Sequence, residues 1–475
     1  MILYLPYFPY YFPLPMTAVP ELDALDAHTG SVRIPPEVDV PLTDRVRRII
    51  DSEPFRKLAK ITQVGLVSLV YPAARHTRFE HSLGVYRLAL LFLKRLFHVP
   101  DFAEVVTPHD AERFIVTALL HDIGHYPFCH LIEDLRLGLP DHEALAARYL
   151  EQGELAGLLR TDWHIEPQEV IDLLIGNTRV RPHKKRTSAG QSQCDQILAS
   201  ILSGPIDIDK MDYLFRDSLH AGVPYGRNLD QDRLIGGLCL NAARTGLAIT
   251  EKGKTAAELM VFARYVMFSE VYWHHTVRSA TAMLQRLFRE LFLQNKIRFD
   301  EFVQMTEDEA VCFFLEISKD TPLEKLAAGL FGTKRTIYKR AAQFSILEQP
   351  EMYRQLAGKP YGELCRRADK IDRYFTSGEH RSHVQDASDL SAFSVLIDAP
   401  PVKKEMEIKI DVYYPKQDRY AALEDISPVV RAMAREQFDD YAKRVRIFVH
   451  PDKCNAVRND DVLNDILRSG TAAAE

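Results

Sequence analysis

From about Pro41 onward, apolar residues recur at helical spacing, and that periodicity predicts a mainly α fold. In "TDRVRRIIDSEPFRKLAKITQVG" the apolar positions are Val46, Ile49, Ile50, Phe55, Leu58 and Ile61, with a break near Pro54. "SLGVYRLALLFLKRLF" is apolar on every side, which predicts a buried helix. "DAERFIVTALLHD" predicts another helix, with Asp110 as its N-cap. Residues 181–196, "RPHKKRTSAGQSQCDQ", are polar and aperiodic and predict a solvated loop. Helical spacing resumes in "ILASILSGPIDIDKMDYLFRDSLHAG". It returns in "TAAELMVFARYVMFSEVYWHHTVRSATAMLQRLFRELFL", which reads as one long helix or two. "GLCLN" and "GLAITEKG" between them are short strand-like runs. After about Gln385 the strand-like runs "AFSVLIDAP", "EMEIKIDVYYP" and "RVRIFVHP" flank a helical "ISPVVRAMAREQFDDYAKR", a pattern that predicts a small α+β region. The expected organisation is an N-terminal extension (1–40), a helical core (41–300), a helical extension (301–384) and the α+β region (385–475).

Composition narrows the classes. At 475 residues, 46% hydrophobic and 27% charged, the chain exceeds one ordinary domain and can bury a sizeable core. Its net charge of −6 gives no general reason to expect nucleic acid as the main partner. Six scattered cysteines without a C-x-x-C pair suit a reducing compartment, here the cytoplasm, and argue against a cysteine zinc site. No run of about 18 apolar residues is present, so no membrane span is expected. The opening "MILYLPYFPYYFPLP" is apolar, but its four prolines block a helix and no basic residue precedes it. It is expected to be an extended arm, not a signal peptide.

Residues 119–130 read "LLHDIGHYPFCH", with three histidines and an aspartate where an apolar helix ends. His81 stands in "HTRFEHSLGV", entering a buried helix, and Asp209 stands in "GPIDIDKMDYLFRD", entering a third. Adjacent helical residues such as His121 and Asp122 point about 100° apart, so both reach one ion only if it lies beside the helix. Two imidazoles and two carboxylates suit Mn, Fe, Co, Ni or Zn better than Ca. On a six-coordinate ion they leave room for water and a substrate oxygen. His125, one turn after His121, shares its face, and imidazole suits general acid–base work near neutrality.

These segments, with "IIDSEPFRKLAKITQVG", "DHE", "IDIDKMDYLFRDSLHAGVPYG" and "ARYVMFSEVYWH", resemble the HD-domain superfamily of metal-dependent phosphohydrolases. More narrowly they resemble its deoxynucleoside triphosphate triphosphohydrolases, over residues 46–278 and more loosely to about 449. The resemblance implies a helical catalytic core. His81, His121, Asp122 and Asp209 would ligate one divalent metal, a transition ion or Mg. His125 and His130 would face the phosphates, Glu133 would orient His130, and His142 would move protons or position water. Arg78, Lys210, Arg264 and Tyr213 would meet the triphosphate. Gln63 and Asp217 would read the 3′-hydroxyl, and Val64 and Tyr272 would close off the 2′ position. A nucleotide substrate and a dimer or tetramer are the implied partners. The implied reaction releases a deoxynucleoside and inorganic triphosphate. The metal set alone would equally serve an enzyme acting on a nucleoside monophosphate, a ribonucleotide or a signalling nucleotide; Lys210, Tyr213 and Asp217 favour the triphosphate. A nucleotide sensor on the same scaffold is the remaining alternative, and the intact ligand set argues against it. Asp51 keeps one place of the activator site found in vertebrate relatives, but Ala59 stands where that site has arginine.

Overall fold

The computed structural model describes residues 19–27, 30–175, 192–376, 392–400, 409–433 and 442–454. The N-terminal aromatic arm lies outside them, as do residues 181–191 of the expected loop and 434–441 of the last helical stretch. Helix α1 (Asp44–Asp51) starts at Thr43, whose hydroxyl accepts from the Val46 N–H. Helix α2 (Arg78–Leu96) is the buried helix its composition predicts, with Leu83, Val85, Tyr86, Leu90, Phe92 and Leu93 all sealed from solvent. Full burial of each such large side chain contributes about 2 to 3 kcal/mol.

Helix α3 (Pro108–Leu120) packs along α2. Its N-cap is Thr107, not Asp110. Asp110 is the third helical residue and bonds back to Thr107, so the two form a capping box. The short α4 (Cys129–Glu133) follows Phe128, which takes the left-handed conformation at φ +56°. Helix α5 (His142–Glu151) is capped by Asp141. Helix α6 (Gln193–Ser203) corrects the loop expectation at its C-terminal end, because Ser192 caps a helix there and Cys194 and Ile197 face the core. Helix α7 (Ile208–Ala221) is capped by Asp207 and stops at Gly222, φ +71°. The long aromatic stretch is two helices, α8 (Lys254–Val266) and α9 (His275–Leu293), joined by a π-helical turn over Met267–Tyr272.

One apolar core unites α1, α2, α3, α6 and α7, and a second gathers around α9 with Phe302, Phe314 and Leu326. Strands β1 (Ser31–Ile34) and β2 (Val38–Pro41) form a hairpin. The remaining strands are β3 (Leu238–Leu240), β4 (Leu247–Thr250), β5 (Lys339–Phe344), β6 (Val395–Asp398), β7 (Asp411–Tyr414), β8 (Arg419–Ala422) and β9 (Val445–Val449). They form two sheets, ordered β3-β4-β7-β8 and β5-β9-β6. C-terminal strands therefore extend sheets begun far upstream: β7 lies parallel to β4, with Ile249 opposite Val412, and β9 lies antiparallel to β5. Among the described residues no helix is long and apolar enough to cross a membrane, and all six cysteines are free.

Candidate active site

Three helices bring His81, His121, Asp122 and Asp209 to one point. His81 lies in the first turn of α2, His121 and Asp122 follow α3, and Asp209 lies in the first turn of α7. His81 Nδ1–H donates to Asp212 (2.8 Å), and His121 Nδ1–H donates to the Ala118 carbonyl (2.8 Å). Neither acceptor carries a proton to give, so whenever the ring is neutral its bare lone pair lies at Nε2. Those two Nε2 atoms face each other at 3.2 Å. Asp209 Oδ1 lies 3.1 Å and 3.9 Å from them, and Asp122 Oδ1 lies 3.4 Å from the His121 Nε2. Four acceptors crowded this closely repel unless a cation sits among them. A six-coordinate ion with bonds of about 2.1 Å sets neighbouring donors about 3 Å apart, so the cluster fits a divalent metal of the nitrogen–oxygen class. The same demand for positive charge shows in the proton affinity of His81: burial alone would lower it, but Asp209 and Asp212 outweigh burial and lift it to about 10, so a metal ion binding here competes with a proton for this ring. Asp209 is the open side of the cluster, 36% exposed against at most 10% for the other three.

A second layer holds the ligands. Asp212 takes the Arg216 guanidinium on both oxygens (2.7 and 2.8 Å), and Arg216 reaches Glu80 (2.6 Å), which also meets His220 (2.9 Å). Gly84 of α2 leaves room for this pair, since a Cβ there would lie 1.9 Å from Asp212 Oδ1. Arg78 donates to Asp122 (2.8 Å). Asp212 and Arg216 were not singled out from the sequence, although the spacing Asp209, Asp212, Arg216 places all three on one helical face. Asp212→Asn is expected to lower Mn²⁺ affinity roughly 10- to 100-fold, because the ring it orients loses its fixed tautomer. Equilibrium dialysis reads this directly, and unchanged affinity would contradict the role.

Beside the cluster stand three imidazoles. His125 Nε2 is 3.3 Å from His130 Nε2, and the His125 ring lies 4.2 Å from the His142 ring. Glu133 accepts from His142 at both Nδ1 (2.9 Å) and the backbone N–H (2.7 Å) and lies 3.5 Å from His130. Its shorter side-chain contact is thus with His142, although it touches both. Burial, then the nearby Arg78, hold His125 well below the ordinary histidine range, so it is neutral. Burial works the same way on His142, but Glu133 overcomes it and raises the ring. His130 is more than half exposed and forms the outer rim with Asp209. Gly124 permits this arrangement through close approach, since a Cβ there would lie 1.9 Å from the His142 carbonyl oxygen. Cys129 is buried, its Sγ bonds Glu133, and burial holds the thiol well above its usual range, so it offers no nucleophile.

The remaining predicted residues line one side. Asp209, Tyr213 and Asp217 recur every four residues along α7. Asp217 accepts from the Tyr272 hydroxyl (2.5 Å) and pairs with His76 (2.8 Å). His76, missed in the sequence reading, stacks on His220 (4.4 Å between centroids) and joins the Asp217 carboxylate to the layer of Glu80 and Arg216. Gln63 bonds the His76 carbonyl through its backbone, while its side-chain oxygen is buried without a hydrogen-bond partner among the described residues. Val64, beside it, packs at the margin of the main core. Lys210 Nζ is held by Asp207 (2.5 Å) and lies within electrostatic reach of Tyr213 and Arg264.

Residues 78–214 match the HD domain, and residues 229–470 match the HD associated region. The uncharacterized protein MJ1154 of Methanocaldococcus jannaschii is 28% identical over 435 residues, covering 90% of this chain and 82% of its own length. The deoxynucleoside triphosphate triphosphohydrolase SAMHD1 of Gallus gallus is 30% identical over 264 residues, covering 51% of this chain and 42% of that protein. The chain thus spans less than half of that relative. A phosphohydrolase from Bacteroides thetaiotaomicron shares the fold with a TM-score of 0.62 at 22% identity, over 88% of this chain and 99% of that one.

Proposed function

Because the chain belongs to the HD-domain phosphohydrolases and carries their associated region, we propose that its substrates are deoxynucleoside triphosphates, cleaved to a deoxynucleoside and inorganic triphosphate. The observation that carries this reading is the line of residues along α7. Asp209 in the ligand cluster, Tyr213, and Asp217 with its Tyr272 partner are spaced over about 12 Å of helix, enough to serve phosphates at one end and a sugar at the other. The unpartnered Gln63 oxygen supports it, being a buried acceptor beside Asp217's partner His76 that a sugar hydroxyl would satisfy.

In the proposed reaction a water oxygen attacks the α-phosphorus, the bond from that phosphorus to the nucleoside 5′-oxygen breaks, and the 5′-oxygen takes a proton. A divalent ion held by His81, His121, Asp122 and Asp209 would supply a more acidic water and a polarised phosphoryl oxygen. His142, whose proton affinity Glu133 raises against burial, would deliver the proton, with His130 beside it at the rim. Neutral His125 orients a phosphate oxygen or the water through Nε2. Arg78 keeps Asp122 ionised and aimed. Lys210, Arg264 and Tyr213 would take the β- and γ-phosphates, Lys210 exchanging Asp207 for phosphate oxygens.

Deoxyribose selection follows from Val64 and the Tyr272 ring at the 2′ position. Because a wall of this kind rejects a hydroxyl only moderately, the expected preference for dNTPs over NTPs is roughly tenfold to a hundredfold in kcat/KM. The test is a panel of the eight common dNTPs and NTPs, singly and mixed, with Mn²⁺, Mg²⁺ or Fe²⁺. Equal rates on the two sugar classes would overturn the assignment of Gln63, Val64, Asp217 and Tyr272.

A further inference from the structure

The segment that carries Gln63 and Val64 is held from both sides, and one side comes from far along the chain. Thr62 stands opposite Thr77 in an antiparallel bridge. The Gln63 N–H donates to the His76 carbonyl (2.9 Å) and the Arg78 N–H to the Ile61 carbonyl (3.0 Å). In such a pair the N–H of Thr62 points away from Thr77 and needs another acceptor. Helix α10 (Glu307–Ser318) supplies it with its first residue. Glu307 Oε2 accepts from the Thr62 N–H (3.0 Å), and the Thr62 hydroxyl lies 2.7 and 2.9 Å from the two carboxylate oxygens. The chain entering α10 is docked on the helical core. Lys57 Nζ donates to the Val303 carbonyl, and the Tyr149 hydroxyl donates to the Gln304 side-chain oxygen (3.0 Å). On the other side Gly65 turns the chain at φ +50°. Gln63 and Val64 therefore lie between a gripped residue and a tight turn.

Glu307 belongs to the HD associated region, and no step of the proposed reaction uses it. Burial pushes its carboxyl above the ordinary carboxylate range, and Thr62 and the nearby Arg78 offset this only in part. Arg78 is itself engaged with Asp122 (2.8 Å). A carboxylate here therefore costs more desolvation than a neutral acceptor, but its charge-assisted bonds hold Thr62 more firmly. That balance suits a support for a recognition loop better than a residue kept for stability. We propose that Glu307 is a positioning residue for sugar recognition: by gripping Thr62 it fixes Gln63 and Val64, and so sets how strictly the enzyme requires a 3′-hydroxyl. The inference rests on the deoxynucleotide reading, which puts Gln63 at that hydroxyl.

The test compares kcat/KM, with Mn²⁺, for the dNTP turned over fastest and for its 2′,3′-dideoxy form. Wild type should prefer the dNTP by roughly a hundredfold or more, because a site built around a hydroxyl leaves its own groups unpaired without it. Glu307→Ala should cut that preference at least about tenfold, by raising KM for the dNTP while the dideoxy form is little affected. Loosened packing alone would slow both substrates alike and leave the ratio unchanged. Glu307→Gln should recover most of the ratio, since its amide oxygen can take the place of Oε2, which already meets both Thr62 donors. Thr62→Val, which removes the hydroxyl, should lower the ratio by itself yet add little to Glu307→Ala. Hydrogen exchange followed by mass spectrometry reads the grip without substrate. The peptide over residues 62–64 should exchange faster in Glu307→Ala than in wild type or Glu307→Gln. If Glu307→Ala does not fold, Thr62→Val decides. Unchanged exchange there, or a wild-type preference that the folded variants leave intact, overturns the proposal while the sugar reading stands. A wild type equally fast on both forms overturns the sugar reading, and the proposal with it.

Discussion

His81→Ala is expected to reduce turnover by roughly four orders of magnitude and bound metal to background. The substitution removes the Nε2 that sits 3.2 Å from His121 Nε2 and 3.1 Å from Asp209, so the cluster loses the donor at its centre. The fold should persist, because Asp212 keeps its two bonds to Arg216 and α2 keeps its apolar burial. Metal content by elemental analysis and single-substrate kinetics measure the two effects, with circular dichroism as the check on folding. Cys129→Ser is the matching control. Its thiol is buried and bonds Glu133, so turnover should stay within a few-fold of wild type. A large loss at Cys129 with retained activity at His81→Ala would reverse the chemistry assigned to this site.

The second large effect is expected at Gly124. Its position leaves no room for a side chain, because an added Cβ would meet the His142 carbonyl oxygen at 1.9 Å and the Ala146 nitrogen at 2.5 Å. These are backbone atoms of α5, which cannot rotate away, so the helix must retreat. Gly124→Ala should therefore cost about 2 to 3 kcal/mol of stability. It should also lower kcat roughly a hundredfold, because the retreat carries His142 away from His125 and misplaces the proton donor. Gly157→Ala, which meets nothing within 4 Å, should change neither quantity appreciably. Thermal unfolding and steady-state kinetics on the pair separate close approach from a general intolerance of alanine.

The site's inner residues were legible because metal chemistry restricts residue types. His81, His121, Asp122 and Asp209 stand out as polar groups at the ends of apolar helices; the fold brings donor atoms of the first three within 4.8 Å of one another and sets Asp209 3.1 Å from His81. The helical core was legible for a similar reason: α2 and α3 bury nearly all their apolar positions, so periodicity and burial coincide. Long-range pairing was not legible. Nothing local in "GLAITEKG" announces that Ile249 pairs with Val412, because that contact is decided by the packing of distant segments. The one predicted cap was misplaced by short-range ambiguity, since Thr107 and Asp110 are both good capping residues and only their reciprocal bonds assign the roles. The supporting layer of Asp212, Arg216, Glu80, His220 and His76 was missed because its members look like ordinary surface charges in the sequence. They become a network only when α2 and α7 pack together.

The central claim is hydrolysis at the α-phosphorus by a metal-dependent HD site, and the position of bond cleavage tests it most directly. Turnover of a dNTP in ¹⁸O-labelled water with Mn²⁺, followed by mass spectrometry, should yield an unlabelled deoxynucleoside and inorganic triphosphate carrying one ¹⁸O. Pyrophosphate with a deoxynucleoside monophosphate, orthophosphate with a diphosphate, or label in the deoxynucleoside would contradict it.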